Sequence, residues 1–370
     1  MHKVDVIAFY LPQYYPTPEN NEWWGKGFTE WTNVGKAKPL FKGHLQPKVP
    51  SDLGYYDLRV KSVRDEQVEL AKEAGVTAFC YWHYWFGNGK RLLSEVFQEV
   101  LETGRPDFPF CLGWANHSWY AKTWDKNSKN KDKLLIEQTY PGEEDARKHF
   151  SFLLQAFKDK RYVKVDNCPF FYIFDPKALP LQYISWFRSW AKEAGFSDLY
   201  IVANISINDK AEDFVGKGYD AVVFNRVLYY DQLLGTTGWN IVNRGISSAI
   251  RTIKSYFQRR PSNIVDFGKY YKNLVTDEEL KDYVLPEIVA GWDHSPRSGS
   301  KGLIYINTTP NNFYKHCLSV MESIKNKPDG RKIVMLKSWN EWGEGNYMEP
   351  DLLYGHSYIK SLRNAIIESL

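Results

Sequence analysis

Ile333-Val334-Met335-Leu336-Lys337-Ser338-Trp339-Asn340-Glu341-Trp342-Gly343-Glu344-Gly345 joins a short apolar run to a cluster of rings, an amide and two carboxylates. A run of this length, too short for a helix and apolar throughout most of its length, reads as a strand buried on both faces. Seven further runs share the pattern: Val4–Tyr10, Val76–Tyr81, Phe110–Trp114, Phe170–Asp175, Leu199–Ala203, Ala221–Phe224 and Ile288–Gly291. Helical periodicity fills the intervals. Val60, Val63, Leu70, Ala71 and Ala74 share one face and Gly75 follows as a stop; Leu92, Leu93, Val96, Phe97, Val100 and Leu101 repeat this before Gly104. Ala146, Phe150, Leu153, Leu154 and Phe157 mark a third helix, and a last one is expected over Gly355–Ile367. Eight β-then-α units predict an α/β fold, a (β/α)8 TIM barrel formed by one domain over residues 1–370.

Such a barrel takes ~250 residues, so the surplus belongs to long βα loops at Pro12–Tyr56, Ala115–Pro141 and Asn225–Leu285. Ser295–Lys301 (SPRSGSK) resembles a flexible linker, but it follows a predicted strand and is expected to form a functional loop. Lys and Arg number 48 against 44 Asp and Glu, a net +4 without a long basic run, which argues against a nucleic-acid partner. The N-terminal Met-His-Lys-Val-Asp-Val-Ile stretch lacks an uncharged signal-peptide core, and no window is long and apolar enough for a membrane span, so a cytoplasmic location is expected. Cys80, Cys111, Cys168 and Cys317 are scattered, without zinc or disulfide spacing, and read as small buried hydrophobes.

The excess lies in rings: 14 Trp, 25 Tyr and 21 Phe make up 16% of the chain. In a TIM barrel the carboxyl ends of all strands converge on one mouth, and the non-Phe rings collect there with polar partners. Strand one leads to Tyr10, Gln13 and Tyr14; strand two to Trp82, His83, Tyr84 and Trp85; strand three to Trp114, Asn116, His117 and Trp119. Strands four to six lead to Asp175, Asn204, Asn225 and Arg226; strand seven to Trp292, Asp293 and Arg297; strand eight to Trp339, Asn340 and Trp342. Flat apolar faces interleaved with donors and acceptors suit a pyranose, whose C–H faces stack on rings while its hydroxyls need hydrogen bonds. The expected partner is therefore an oligo- or polysaccharide.

Two carboxylates are the usual tools for breaking a glycosidic bond. Glu341 and Glu344, flanked by tryptophans and glycines, are the leading catalytic pair, with Glu30, Glu137, Asp175 and Asp293 in reserve. His83, His117 and His294 lack paired ligand spacing, so neither a metal site nor a cofactor is expected; no phosphate-binding glycine loop is present in the sequence.

At these residues the chain resembles the WbsX-type family, labelled glycosyltransferases of lipopolysaccharide and capsule synthesis, which shares a domain with the family-99 glycoside hydrolases, the endo-α-mannosidases. The motifs are Ala8–Tyr14 (AFYLPQY), Trp23–Trp31 (WWGKGFTEW), Gly43–Pro47 (GHLQP), Leu53–Asp57 (LGYYD), Tyr81–Phe86 (YWHYWF), Trp114–His117 (WANH), Gly291–Asp293 (GWD) and Trp339–Gly345 (WNEWGEG) with Glu349-Pro350. The resemblance adds Glu30 and Trp31 to the expected substrate contacts. It implies a (β/α)8 barrel and a retaining, metal-independent hydrolase without an enzyme nucleophile. In that scheme Glu341 deprotonates the sugar 2-hydroxyl, giving a 1,2-anhydro intermediate, while Glu344 protonates the leaving oxygen and then activates water. Gly343 stands where many endo-α-mannosidases have histidine. The reading that follows is an endo-acting glycoside hydrolase of an α-linked, mannoside-like or bacterial surface polysaccharide. The alternatives are a surface-glycan glycosyltransferase, which lacks support from any Asp-x-Asp motif or two-domain Rossmann layout, and a non-catalytic glycan-binding protein.

Overall fold

The computed structural model describes residues 4–121, 133–227 and 261–369. Eight parallel strands form its centre: β1 (Asp5–Tyr10), β2 (Ala78–Trp85), β3 (Phe110–Trp114), β4 (Cys168–Ile173), β5 (Tyr200–Ile205), β6 (Ala221–Phe224), β7 (Glu287–Ile288) and β8 (Ile333–Leu336). They are ordered β6-β5-β4-β3-β2-β1-β8-β7. Val222 of β6 bonds to Tyr283 and Leu285, each at 2.8 Å, just ahead of β7, so the two edges meet and the sheet nearly closes into a barrel. Outside pack α1 (Lys61–Ala74), α2 (Glu95–Thr103), α3 (Glu143–Phe157), α4 (Leu181–Glu193), α5 (Ala211–Val215), α6 (Pro310–Ile324) and α7 (Ser357–Ser369).

Local chemistry explains the boundaries. Gly75 ends α1 at φ 84°, where a side chain would be strained, and Gly104 ends α2 at φ 69°. β7 is shorter than the sequence pattern predicts because the Val289 N–H bonds to His316 Nε2 (3.1 Å), and Val289 joins a second apolar cluster with Trp292, Phe267 and Tyr305. β2 is longer, reaching Trp85, so four residues expected in a loop instead alternate between the two faces of a strand. Cys80, Cys111 and Cys317 are buried free thiols, as expected, while Cys168 is half-buried. The Pro12–Tyr56 loop carries two short helices, Pro18–Trp24 and Glu30–Lys36. Parts of the other two expected long loops lie outside the described residues. The SPRSGSK stretch is no linker: Ser295–Ser298 is a helical turn, continued by Gly299–Lys301, with Arg297 buried. Among the described residues no helix is long and apolar enough to cross a membrane.

Asparagines lock the strand ends into a rim. Asn340 accepts from Leu11 N (2.8 Å) and donates to Leu11 O (3.0 Å), tying β8 to β1. Asn116 does the same to Asp175, with 2.7 and 2.8 Å bonds joining β3 to β4, and Asn204 donates to Phe174 O at 2.9 Å. Replacing Asn340 by Ala leaves both Leu11 backbone groups buried without partners, which costs roughly 1–3 kcal/mol for each unsatisfied group. A drop of about 2–6 kcal/mol in denaturant unfolding is therefore expected, and a change below ~0.5 kcal/mol would count against the clamp.

Candidate active site

Ser338 sets the entry to the site. Its hydroxyl accepts from the backbone of Asn340 (3.1 Å) and Glu341 (2.9 Å), turning the chain sharply after β8. Glu341 and the single helical turn Trp342–Glu344 then face a cavity of about 380 Å3 at the mouth of the barrel. Its aromatic wall includes Phe9, Trp82, Tyr84, Trp119, Tyr172, Phe174 and Trp292. Phe9 and Trp82 stack at 4.6 Å and 8°.

Arg297 organises the acids. Its guanidinium donates to Glu30 Oε2 through Nε (3.1 Å) and Nη2 (2.8 Å), to Glu341 Oε2 (3.2 Å), and through Nη1 to Glu344 Oε1. One cation thus faces three carboxyl groups. Glu30 is fully buried and its Oε1 has no partner among the described residues; burial raises its proton affinity and Arg297 only partly opposes this. Burial, with Glu344 as the next contribution, pushes Glu341 up to about 8, again against Arg297. Glu341 therefore favours its protonated form near neutrality, whereas the resemblance assigns the acid's proton to Glu344.

Gly343 makes this packing possible. A Cβ built there would lie 2.1 Å from Glu30 Oε2 and 3.2 Å from Arg297 Nε, so the residue opposite the Glu30–Arg297 pair has room for no side chain. The position where histidine was expected from the endo-α-mannosidases is filled here by an ion pair reaching in from two loops.

Of the residues expected to bind substrate, Gln13, Trp82, Tyr84, His117, Trp292 and Arg297 line the cavity with Glu341 and Glu344. Buried, unpartnered atoms include Gln13 Nε2, Trp292 Nε1 and His117 Nδ1. Burial lowers His117 and His294, so both rings are neutral hydrogen-bonding groups. The other expected contacts are placed elsewhere. Tyr10 points outward and donates to Gln67 (2.7 Å). His83 and Trp85 face α3, where His83 Nε2 meets His149 Nε2 at 2.8 Å and Trp85 Nε1 donates to Asp145 (3.0 Å). Trp114 donates to Trp85 O (3.0 Å) and packs on His149. Asn116 and Asn340 are the rim clamps, and Asp175 caps the turn at Lys177 and Ala178.

Asp293 is held by His44 (2.8 Å), Gln46 (2.6 Å) and Ser295 N (3.0 Å); burial works to raise its carboxyl, but these bonds win and hold it below the usual range. Trp31, Trp339 and Trp342 pack into the core and do not line the cavity: Trp31 meets Trp342 at 5.5 Å and Trp339 meets Phe79 at 5.7 Å. Trp31 donates to Tyr56 O (2.7 Å), while Trp342 stacks on Tyr347 at 3.7 Å and donates to Glu349 Oε2 (2.6 Å). Glu349, given no role by the sequence reading, also accepts from Gln67 (2.6 Å) and Tyr56 (2.9 Å); burial nevertheless pushes it up to about 7. Also missed were Phe9, Tyr172, Asn346 and Lys337 in the cavity wall; an ionisable Lys inside an otherwise apolar strand was the available signal for the last. Among the described residues no group of three His, Cys, Asp or Glu is arranged to hold a metal ion.

This site sits in a chain that belongs to the glycosyltransferase WbsX family, whose model matches residues 6–362, and so to a family of glycan-processing enzymes. Two curated relatives, both "Uncharacterized protein WxcX" from strains of Xanthomonas campestris pv. campestris, are 32% and 33% identical over 98% of the chain. The chain spans about half (49%) of their length. Among solved structures, the GH99 endo-alpha-mannosidase from Bacteroides thetaiotaomicron in complex with Bis-Tris-propane superposes with TM-score 0.59 at 12% identity, covering 100% of this chain and 98% of that one. A "Glycoside hydrolase-like protein" gives TM-score 0.58 at 15% identity, covering 99% and 94%. At these identities the likeness speaks for the barrel fold.

The electrostatics predict a pH signature. Glu341 sits at about 8 in the folded protein but near ~4.3 when unfolded, so the folded state holds the extra proton between those values and loses stability as pH rises through that window. The neutral isostere Glu341→Gln is expected to raise the thermal midpoint at pH 8 by more than at pH 5. An equal effect at both pH values would contradict the raised carboxyl.

Proposed function

We propose that the protein is a retaining, endo-acting glycoside hydrolase of an α-linked polysaccharide, with Glu341 and Glu344 as its proton-transfer pair. The observation that carries this reading is the contact of both carboxyls with one guanidinium, Arg297, at the wall of an aromatic cavity. Rings lend apolar faces for the sugar, and Gln13, His117 and Trp292 lend unpartnered polar atoms for its hydroxyls.

The route implied by the family-99 resemblance needs one proton in the pair. Ionised Glu341 takes the 2-hydroxyl proton as O2 closes on the anomeric carbon, the bond to the leaving oxygen breaks, and Glu344 protonates that oxygen. Glu344 then takes a proton from water, water opens the anhydro ring at the anomeric carbon, and Glu341 returns its proton to O2. Two inversions give retention. The shared proton must pass from Glu341 to Glu344 as substrate enters; Arg297, touching both, offers a fixed counter-charge to either ionised form. A surface-glycan glycosyltransferase is the second reading, favoured by the family's name.

Removing one member of such a pair costs about 10²–10⁴-fold in rate. Glu344→Gln and Glu341→Gln are each expected to lower release of reducing ends from a cleavable α-linked glycan by that factor while the glycan still binds. Undiminished release by both would end the assignment, and acceptor-dependent consumption of a nucleotide-sugar with no release from intact glycan would establish the transferase instead.

A further inference from the structure

One charged group in the cavity takes no part in that chemistry. Lys337 follows β8 and lines the cavity, with its side chain 15% exposed. Its ammonium donates to Glu287 Oε1 at 2.9 Å. An ammonium carries three donors, and its other two have no hydrogen-bond partner among the described residues. Glu287 stands behind it with its side chain 4% exposed, and Glu287 Oε2 has no partner among the described residues. Arg226 and Glu279, paired at 2.6 Å, act on Glu287 in opposite directions, Arg226 lowering and Glu279 raising its carboxyl.

Burying such a pair gives little stability that an apolar pair would not. What it does supply is a cation presented to the cavity with donors to spare. The remaining cations of the wall differ: Arg297 is taken up by the three acids, and Lys301 stands at an exposed position with no ion pair among the described residues. In a cavity that Phe9, Trp82 and Tyr172 also line, an ammonium attracts a carboxylate more strongly than it does a hydroxyl, because the bond is charge-assisted.

We infer that Lys337, presented by Glu287, is a specificity-determining residue that binds the carboxylate of an acidic pyranose, so that the glycan recognised here contains a uronic acid. This rests on the carbohydrate-active reading above and deepens it by naming a substrate class.

The test is calorimetric or NMR-detected binding of galacturonate and glucuronate against galactose and glucose at matched ionic strength. Wild-type protein is expected to bind at least one uronate about tenfold more tightly than its neutral parent, as one added charge-assisted bond provides. Lys337→Gln removes the cation but leaves Glu287 buried alone, so the double variant Lys337→Gln/Glu287→Gln accompanies it. Both are expected to lose the preference for the uronate over its neutral parent. Uronate binding no tighter than neutral-sugar binding in the wild type, including no binding of either, overturns the inference, as does a preference that persists in a folded variant; the wild-type result decides even where a variant does not fold. Glu344-dependent hydrolysis of a neutral glycan without uronate preference would overturn the role of Lys337 and leave the proposed function standing. Uronate preference without turnover of any glycan would do the opposite.

Discussion

Arg297 is the constraint on which the mouth of this barrel depends. Its guanidinium is buried, and it holds Glu30 from the loop after β1 and Glu341 and Glu344 from the segment after β8. Removing an unpaired charge from water is expensive, and here Arg297 is compensated by three carboxyls while Arg297 is the cation that buried Glu30 contacts. The consequences spread to the backbone. Gly343 is side-chain-free because Glu30 occupies that space, and the SPRSGSK stretch is compact because Arg297 must be delivered at a fixed point. Three carboxyls around one cation cannot all ionise cheaply, which leaves a proton available beside the cavity.

Behind this cluster lies a buttress of buried hydrogen bonds. Glu349 gathers Tyr56, Gln67 and Trp342, and Gln67 in turn accepts from Tyr10. Trp342 is flanked in the chain by Glu341 and, beyond Gly343, by Glu344, so fixing the indole fixes the turn that carries both acids. The proposed proton transfer requires such rigid support, because it is sensitive to small displacements. The asparagine clamps at Asn340, Asn116 and Asn204 extend the same function around the rim, holding neighbouring strand ends together where the ladder stops.

The barrel was legible from alternating apolar runs and helical faces, because parallel strands buried on both sides leave a continuous signal. The placement of Glu341 and Glu344 at the cavity was legible too, as carboxylates set among tryptophans after the last strand. The division of the rings was not. Trp82-His83-Tyr84-Trp85 reads as a solid aromatic block, yet in a strand alternate residues face opposite ways: Trp82 and Tyr84 meet the cavity, while His83 and Trp85 meet α3. Tyr10 is lost to the outer layer by the same rule, and its neighbour Phe9 is the residue gained. Asn116 and Asn340 misled for another reason, since an amide that satisfies the backbone of a neighbouring strand has the same sequence signature as one awaiting a sugar. The ion pairs Glu30–Arg297 and Glu287–Lys337 span 267 and 50 residues, and local sequence carries no record of such partnerships.

Burial beside Arg297 raises the Glu341 carboxyl so that it keeps its proton near neutrality. Carbon-13 NMR titration of the glutamate carboxyls in the folded protein tests it most directly. The expected result is a carboxyl that titrates near pH 8 and disappears from the spectrum in Glu341→Gln. Titration of all the carboxyls of the cluster in the ordinary range near ~4.3 would contradict it.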